Sequence, residues 1–154
     1  MDGFSSLTGI EGHLNVSSNT ALANLNGLSQ IGYVECTAAE ATPRDGWEEI
    51  ESRVVLRSDL AGGLEGLSGG RKILVVFWFH RSDGFELLQH PKGDPTRPKR
   101  GVFTLRSPRR PNPIGVTVVD LLEIEGNVLR VRGLVAFDGT PVLDIKPVRN
   151  GKEC

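Results

Sequence analysis

Two segments of the chain combine residue types that could bind or transform a ligand. The first, RSPRRPNPIG, spans 106–115, and the second, DGTPVLDIKP, spans 138–147. A loop dense in Pro, Arg and Asn adds little to a hydrophobic core, so its residue types are better explained by a bound molecule. Arginine suits a carboxylate or a phosphate because its planar fork gives paired, charge-assisted hydrogen bonds. The sequence therefore predicts a ligand site that includes an anion-binding part.

Positive charge is concentrated around the first segment. Residues 92–110 contain seven basic residues and one acidic residue, a net charge of +6, whereas the rest of the chain carries −7. A solvated loop is one interpretation of such a segment. Six prolines lie within or beside it, at 91, 95, 98, 108, 111 and 113. Because proline fixes the backbone, the charges are rigidly placed, which favours a local anion site.

Five further residues are candidates for chemistry. His80 and Arg81 directly follow the apolar run ILVVFWF, so they lie where a strand could deliver side chains to a site, although His80 could instead cap the strand. Asn112, held between two prolines, could read a base edge or bind its own loop. Asp144 and Lys146 alternate with apolar residues and so share one strand face. They are either a general base with its neighbour or a structural ion pair.

The pattern of apolar residues favours a mainly β fold. Short β-like runs separated by Gly and Pro predict a mostly antiparallel barrel or sandwich. The glycine pairs at 62–63 and 69–70 do not match the fingerprint of a Rossmann fold. A hairpin turn is expected at 125–127 and a short helix within 59–67. The predicted strands are 31–36, 50–56, 73–79, 101–105, 116–124, 128–132, 134–137 and 142–145.

Length and composition predict one domain at 31–148, with an N-terminal tail or appended element at 1–30 and a short tail at 149–154. The longest apolar run has seven residues, far fewer than the roughly 20 that cross a bilayer. No basic n-region opens the chain, and the two cysteines have no metal-ligand spacing. We therefore expect a cytoplasmic protein with no membrane partner and no metal.

The motifs together resemble the TsaA-like (TrmO) family of tRNA methyltransferases. The resemblance rests on GVFTLRSPRRPNPIG and FDGTPVLDIKP, on KILVVFWFHR and, more loosely, on GYVECTAAEATPRDGW, and it spans 31–147. It implies a small single-sheeted β-barrel, mostly antiparallel, with short helices or loops at the rim. It also implies an S-adenosylmethionine cofactor, a homodimer, and methylation of the exocyclic nitrogen of threonylcarbamoyl-adenosine next to the tRNA anticodon.

The resemblance places the cofactor site at Pro43, Arg44, His80, Arg81, Arg106, Asp138, Gly139, Thr140 and Pro141, with Arg109, Arg110 and Asn112 beside it. The chemistry of these residue types is compatible with the reaction: Arg106 can hold the cofactor's carboxylate, backbone groups and His80 can read its adenine, and a carboxylate such as Asp138 or Asp144 can accept the proton. The basic segment can bind RNA phosphates, and the expected RNA-binding residues are Lys99, Arg100, Arg109, Arg110, Asn112 and Lys146.

Two alternatives to this activity remain open at the level of sequence. The first is a non-catalytic barrel that binds S-adenosylmethionine or RNA. The second is a methyltransferase for a different small acceptor, since the chain has Val148 where the family's second motif commonly ends in tyrosine.

Overall fold

The computed structural model describes residues 28–37 and 44–148, of which 44 and 45 are described by their backbone alone. Eight strands lie in this part of the chain: β1 (Gly32–Cys36), β2 (Glu51–Leu56), β3 (Arg71–Trp78), β4 (Leu88–Gln89), β5 (Arg100–Gly101), β6 (Ile114–Glu125), β7 (Val128–Arg132) and β8 (Pro141–Pro147). Short 3-10 helices span Arg44–Glu49, Ser58–Leu64, Pro91–Gly93 and Val102–Thr104. None of the described helices is long and apolar enough to cross a membrane.

Six of the strands close into an antiparallel barrel in the order β1-β2-β7-β6-β3-β8. The barrel closes where Gly32 of β1 pairs with Val142 of β8. Alternate residues of each strand point inward, and a barrel this small is filled by side chains. The predicted small antiparallel barrel is therefore confirmed. Its fully buried interior includes Val34, Val54, Ile73, Val75, Phe77, Val119, Leu121, Leu129, Val131 and Val142.

The hairpin between β6 and β7 forms where the sequence predicts it. Glu125 pairs with Val128, which leaves Gly126 and Asn127 as a two-residue turn. Gly126 has a φ of 60°, a value that glycine adopts without the strain a Cβ would bring. The predicted short helix is also present, as the 3-10 helix Ser58–Leu64.

The prediction of a strand at 101–105 was wrong. The strand β5 ends at Gly101, and the chain then turns into the 3-10 helix Val102–Thr104. The Thr104 hydroxyl donates a hydrogen bond to the Gly101 carbonyl at 2.8 Å, and the Leu105 amide donates to the Val102 carbonyl at 3.1 Å. These local bonds compete with a sheet ladder for the same backbone groups.

The prediction of a strand at 134–137 was also wrong. Leu134 and Ala136 are buried while Val135 is exposed, so the burial alternates as in a strand. The Ala136 amide, however, donates to the Leu134 carbonyl at 3.0 Å, which makes a tight local turn. Gly133, with a φ of 87°, bends the chain as it leaves β7. The segment therefore packs against the core without joining the ladder.

A separate two-stranded sheet accompanies the barrel, and we call the residues around it, 85–105, the arm. Its strands β4 and β5 pair through Leu88 with Gly101 and Gln89 with Arg100. The arm is fastened to the segment 106–113, because the Gln89 side-chain amide donates to the Arg109 carbonyl. Val102 is buried and gives the arm an apolar anchor.

Candidate functional site

A cleft of about 510 Å³ lies at the end of β3. It is lined by Trp78 and residues 80–85 on one side and by residues 110–113 on the other. Two segments that the sequence analysis singled out separately, the polar pair after β3 and the proline-rich loop, therefore face the same space. A volume of roughly 300–1,000 Å³ is usual for small-molecule and cofactor sites.

Hydrogen bonds hold the proline-rich loop against the end of β3. The Phe79 amide donates to the Pro113 carbonyl at 2.7 Å, and the Ser82 hydroxyl donates to the Pro108 carbonyl at 2.8 Å. Within the loop, the Arg110 amide donates to the Pro108 carbonyl at 3.0 Å. Because prolines fix the intervening φ angles as well, the loop presents its side chains in a defined arrangement.

The turn before β8 reaches the same region from the other direction. The Asp138 carboxylate accepts a hydrogen bond from the Cys36 amide at 3.0 Å, and the Gly139 amide donates to the Val34 carbonyl at 2.8 Å. The Thr140 Oγ1 lies 3.1 Å from His80 Nδ1, within hydrogen-bond distance. The turn is therefore fixed to β1 and holds the His80 ring in one orientation.

The charges around His80 favour its neutral form. Burial lowers the pKa of His80 below 6.5, and the neighbouring Arg81 guanidinium lowers it further, while the Asp138 carboxylate opposes both by raising it. The Arg81 guanidinium lies 4.9 Å from the centroid of the Phe137 ring, an arrangement typical of a cation–π contact. Phe137 in turn meets Trp47 edge to face at 5.6 Å. His80 thus offers an uncharged imidazole at neutral pH.

Comparison with known proteins places the chain in a family. Residues 33–152 match the family model described as the tRNA-methyltransferase O N-terminal domain. The chain belongs to the TrmO family. The predicted family is thereby confirmed.

Two archaeal relatives and a solved TrmO structure are similar to this chain over most of its length. An S-adenosyl-L-methionine-binding protein from Archaeoglobus fulgidus is 42% identical over 130 residues, which cover 82% of this chain and 92% of the relative. A probable S-adenosyl-L-methionine-binding protein from Methanothermobacter thermautotrophicus is 41% identical over 111 residues, covering 72% of this chain and 79% of the relative. The crystal structure of TrmO from Pseudomonas aeruginosa is 34% identical, with a TM-score of 0.63, over 79% of this chain and 55% of that chain. The present chain thus spans about half the length of that solved TrmO.

Several of the residues that the TrmO resemblance singles out do come together. His80, Arg81, Arg110 and Asn112 line the cleft. The turn 138–141 lies beside them, joined to His80 through Thr140. The alternative in which His80 caps its strand through a backbone bond is not what the structure shows, since its described partner is a side chain. Asn112 forms no side-chain hydrogen bond to another described residue and faces the cleft.

Other predicted site residues lie elsewhere. Arg106 is exposed and is not among the residues that line the cleft. Asp144 and Lys146 form an ion pair at 2.6 Å on β8, which matches the structural alternative for this pair. Arg109 forms an ion pair with Glu86 at 2.8 Å. Of the remaining residues, Lys99 and Arg100 belong to the arm, Pro43 lies outside the described residues, and Arg44 is described only by its backbone.

The structure adds lining residues that the sequence analysis left out. Trp78 and Phe85 contribute aromatic surface, and Ser82 and Asp83 contribute polar groups. Their one sequence signal is that they lie within a few residues of His80. Across residues 28–37 and 44–148, no cluster of three or more His, Cys, Asp or Glu side chains could hold a metal ion.

The electrostatic arrangement around His80 can be tested directly. We expect the pKa of the wild-type His80 ring to lie below 6.5. NMR measures it from the ring signal of His80, which is identified by its loss in His80→Gln. Asp138→Asn should lower this pKa further, because it removes the charge that favours the imidazolium. Arg81→Gln should raise it, because it removes a neighbouring positive charge.

Asp144→Asn is the matched control. The Asp144 carboxylate pairs with Lys146, so this substitution should leave the titration of His80 unchanged. Shifts of the same sign for Asp138→Asn and Arg81→Gln would contradict this description of the site.

Proposed function

We propose that this chain methylates the exocyclic nitrogen of threonylcarbamoyl-adenosine in tRNA, as an S-adenosylmethionine-dependent methyltransferase. The observation that carries the proposal is the cleft between His80–Arg81 and Arg110–Asn112, within a barrel of the TrmO family. The two archaeal relatives, which are S-adenosyl-L-methionine-binding proteins by name, support the cofactor. The acceptor and the tRNA come from the family resemblance and from the charge of the segment 92–110.

The residues of the cleft fit this cofactor. When bound, S-adenosylmethionine supplies a methyl group on a positively charged sulfur. Its carboxylate needs a cation with two donors in one plane, and Arg110, whose guanidinium Nη1 also donates to the Leu105 carbonyl at 3.4 Å, is the arginine of the loop that lines the cleft. Its adenine needs an apolar face, which Trp78 and Phe85 provide. Asn112 adds an amide that can donate and accept hydrogen bonds.

Positioning by the chain is the main source of acceleration in this proposal. Methyl transfer is an in-line displacement, so holding donor and acceptor in the reactive geometry supplies much of the rate. The loop that carries Arg110 and Asn112 is fixed by prolines and by the bonds from Phe79 and Ser82. Little ordering is therefore left to be done when a ligand binds.

We assign the proton-accepting step to His80 supported by Asp138. The target nitrogen carries an acyl-type substituent, which makes its proton easier to remove than in plain adenosine. The assignment uses the tautomer in which Nδ1–H donates to Thr140 Oγ1, because Nε2 of the neutral ring then carries no proton and can accept one from the substrate. Asp138 stabilises the imidazolium that results. Asp144, the other carboxylate that the sequence puts forward, has less support because Lys146 already engages it.

RNA phosphates are the proposed partners of the exposed cations. Lys99 and Arg100 extend along the arm, and Arg109 lies at its base. The rest of the chain carries a charge of −7, so it repels a polyanion and leaves this segment as its point of attachment. Binding through phosphates weakens steeply as the salt concentration rises.

An apolar strip on the barrel supports a homodimer. Val116 and Val118 of β6 are 42% and 48% exposed, and they pair with Val76 and Leu74 of β3. We call these four residues the outer wall. The flanking charges are neutralised, since Lys72 pairs with Asp120 and Lys146 with Asp144, both at 2.6 Å. A neutral apolar face can meet its own copy without repulsion, as a two-fold dimer interface requires.

The activity is tested by adding the protein and S-adenosylmethionine to tRNA that carries threonylcarbamoyl-adenosine. Mass spectrometry of the nucleosides should show one added methyl group on that base. His80→Gln should lower kcat by about a hundredfold or more while changing the KM for tRNA little. It should also remove the loss of rate that the wild type shows as the pH falls through the pKa of His80.

Transfer to no tRNA nucleoside, despite saturable cofactor binding, would favour the non-catalytic barrel. Transfer to a small acceptor instead of tRNA would favour the alternative that Val148 suggests.

Arg106 and Arg110 are alternative partners for the cofactor's carboxylate, and calorimetry of S-adenosylmethionine binding distinguishes them. Because Arg110 lines the cleft, Arg110→Ala should weaken S-adenosylmethionine binding by about tenfold or more, the usual loss of a charged hydrogen bond. Arg106→Ala should also weaken it if the assignment from family resemblance holds, and an unchanged affinity would remove Arg106 from the site. Arg109→Ala is the matched control, because Arg109 faces Glu86. An Arg110→Ala affinity equal to the wild type would contradict the cleft assignment.

The dimer is tested by changing the outer wall. The wild type should show twice the chain mass of 16.7 kDa by light scattering, and Val118→Glu should show the single mass, because it buries an unpaired charge in the interface. Val135→Glu is the control, since Val135 is similarly exposed but lies outside the wall. A monomeric wild type, or a dimeric Val118→Glu protein, would exclude this interface.

A further inference from the structure

The arm carries several exposed apolar side chains. Four of its large hydrophobic side chains are exposed: Phe85, Leu87, Leu88 and Phe103. Phe103 is the extreme case, with 77% of its surface accessible. Single exposed apolar residues are ordinary, but a cluster of them on one element is typical of a binding surface.

The backbone that carries Phe103 is firmly held although its ring is free. The Val102 amide donates to the Leu87 carbonyl at 2.9 Å, and the Val102 side chain is 1% exposed. The Thr104 hydroxyl closes the 3-10 turn onto the Gly101 carbonyl at 2.8 Å. Phe103 therefore directly follows a buried valine and lies within a hydrogen-bonded 3-10 turn. An aromatic ring presented in this way loses little entropy when a flat partner stacks on it.

Unpaired cations accompany this ring. Lys92, Lys99 and Arg100 are exposed, and none of them forms an ion pair or a side-chain hydrogen bond with another described residue. Arg97 differs, since the Asp94 carboxylate accepts from it at 3.3 Å. The arm thus combines an aromatic face with an excess of positive charge. Proteins that bind single-stranded nucleic acid use this combination, with bases on aromatic rings and phosphates on cations.

We propose that Phe103 is a base-stacking platform for a single-stranded RNA loop, with Lys99 and Arg100 holding the adjacent phosphates. The proposal rests on the function proposed above. There the arm contacts only RNA phosphates, and the present proposal adds a contact with an RNA base. Phe85 belongs to the arm and also lines the cleft. An RNA loop stacked on the arm therefore lies beside the cleft where the target base must enter.

Charge distinguishes this surface from one that binds a second copy of the chain. In a two-fold dimer the same patch occurs on both partners, so the unpaired cations of both arms would lie in one interface. The outer wall has no such conflict, because Lys72 and Lys146 are neutralised by Asp120 and Asp144. The arm is therefore suited to a polyanion and the wall to a second protomer.

The test uses the full chain and an anticodon stem-loop RNA hairpin with 2-aminopurine in its loop. Stacking on an aromatic ring quenches this base, so fluorescence reports the contact and anisotropy of a labelled hairpin reports the affinity. Phe103→Leu keeps the apolar bulk and removes the aromatic face. It should weaken binding by about 5- to 150-fold, the range for loss of one base stack, and should abolish the quenching. Phe103→Trp should retain both.

Tyr33→Leu is the matched control, because it removes an exposed aromatic ring from the barrel rather than from the arm. It should bind and quench like the wild type. The S-adenosylmethionine affinity of Phe103→Leu should also equal that of the wild type, since Phe103 does not line the cleft.

The stacking role would be overturned by a wild type that does not bind the hairpin, or by a Phe103→Leu protein that binds and quenches like the wild type. It would also be overturned if Phe103→Leu lost S-adenosylmethionine affinity in parallel, or if its oligomeric mass changed, which would assign the ring to a contact with a second copy. The proposed function fails separately. If quenching depends on Phe103 but the protein transfers no methyl group to tRNA, the stacking role stands and the proposed reaction is rejected. If Phe103→Leu methylates tRNA at the wild-type rate, the proposed reaction stands and the stacking role is rejected.

Discussion

The site depends on the close pairing of β3 with β6 at the end where β6 begins. Gly115 lies opposite Phe77 there, and a Cβ at this position would overlap the rings of Phe77 and Phe79. Those two rings meet edge to face at 5.1 Å. The absence of a side chain at Gly115 leaves room for both rings, and next to it the Phe79 amide donates to the Pro113 carbonyl. The last glycine of the proline-rich motif is thus a packing requirement that brings the loop to the end of β3.

Closure of the barrel supplies the other half of the arrangement. Because the interior is filled by side chains, a ligand must bind at the rim, on loops that the strands position. The turn before β8 can reach His80 because β8 pairs with both β1 and β3. Asp138 accepts from the Cys36 amide on β1, while Thr140 meets His80 beyond the end of β3. One turn therefore joins two strands on either side of β8 and sets both the orientation of the imidazole and the charge beside it.

The sequence predicted the parts of the molecule that depend on local pattern. Short apolar runs separated by Gly and Pro located most of the barrel strands, and Gly126 located the hairpin turn. The segments 101–105 and 134–137 are apolar runs of the same kind, but nearby bonds, from Thr104 to Gly101 and from Ala136 to Leu134, take backbone groups that a ladder would need. An apolar run indicates that a segment is buried and does not show whether a neighbouring strand is available.

Residues of the candidate site were predictable where a motif carried them and not where tertiary contact decides. The motifs singled out His80 and Asn112, and both line the cleft. Nothing near Arg109 in the sequence shows that Glu86 pairs with it, because the two meet only when the arm folds back onto the loop. The position of Arg110 inside the cleft and of Arg106 outside it is likewise a consequence of how the prolines turn the chain, which residue types alone do not specify.

A single basic segment on an acidic body can serve two anions because the fold divides its charges. Arg110 is turned inward, where a rigid loop and aromatic neighbours suit a small carboxylate. Lys99 and Arg100 are exposed on the arm, near Phe103 in the chain, where they suit a flexible polyanion. Gln89 and Glu86 bind the Arg109 backbone and side chain, and so fix the distance between these two groups. In the proposed function, cofactor and RNA would therefore bind at adjacent places through different cations, as a methyl donor and its acceptor require.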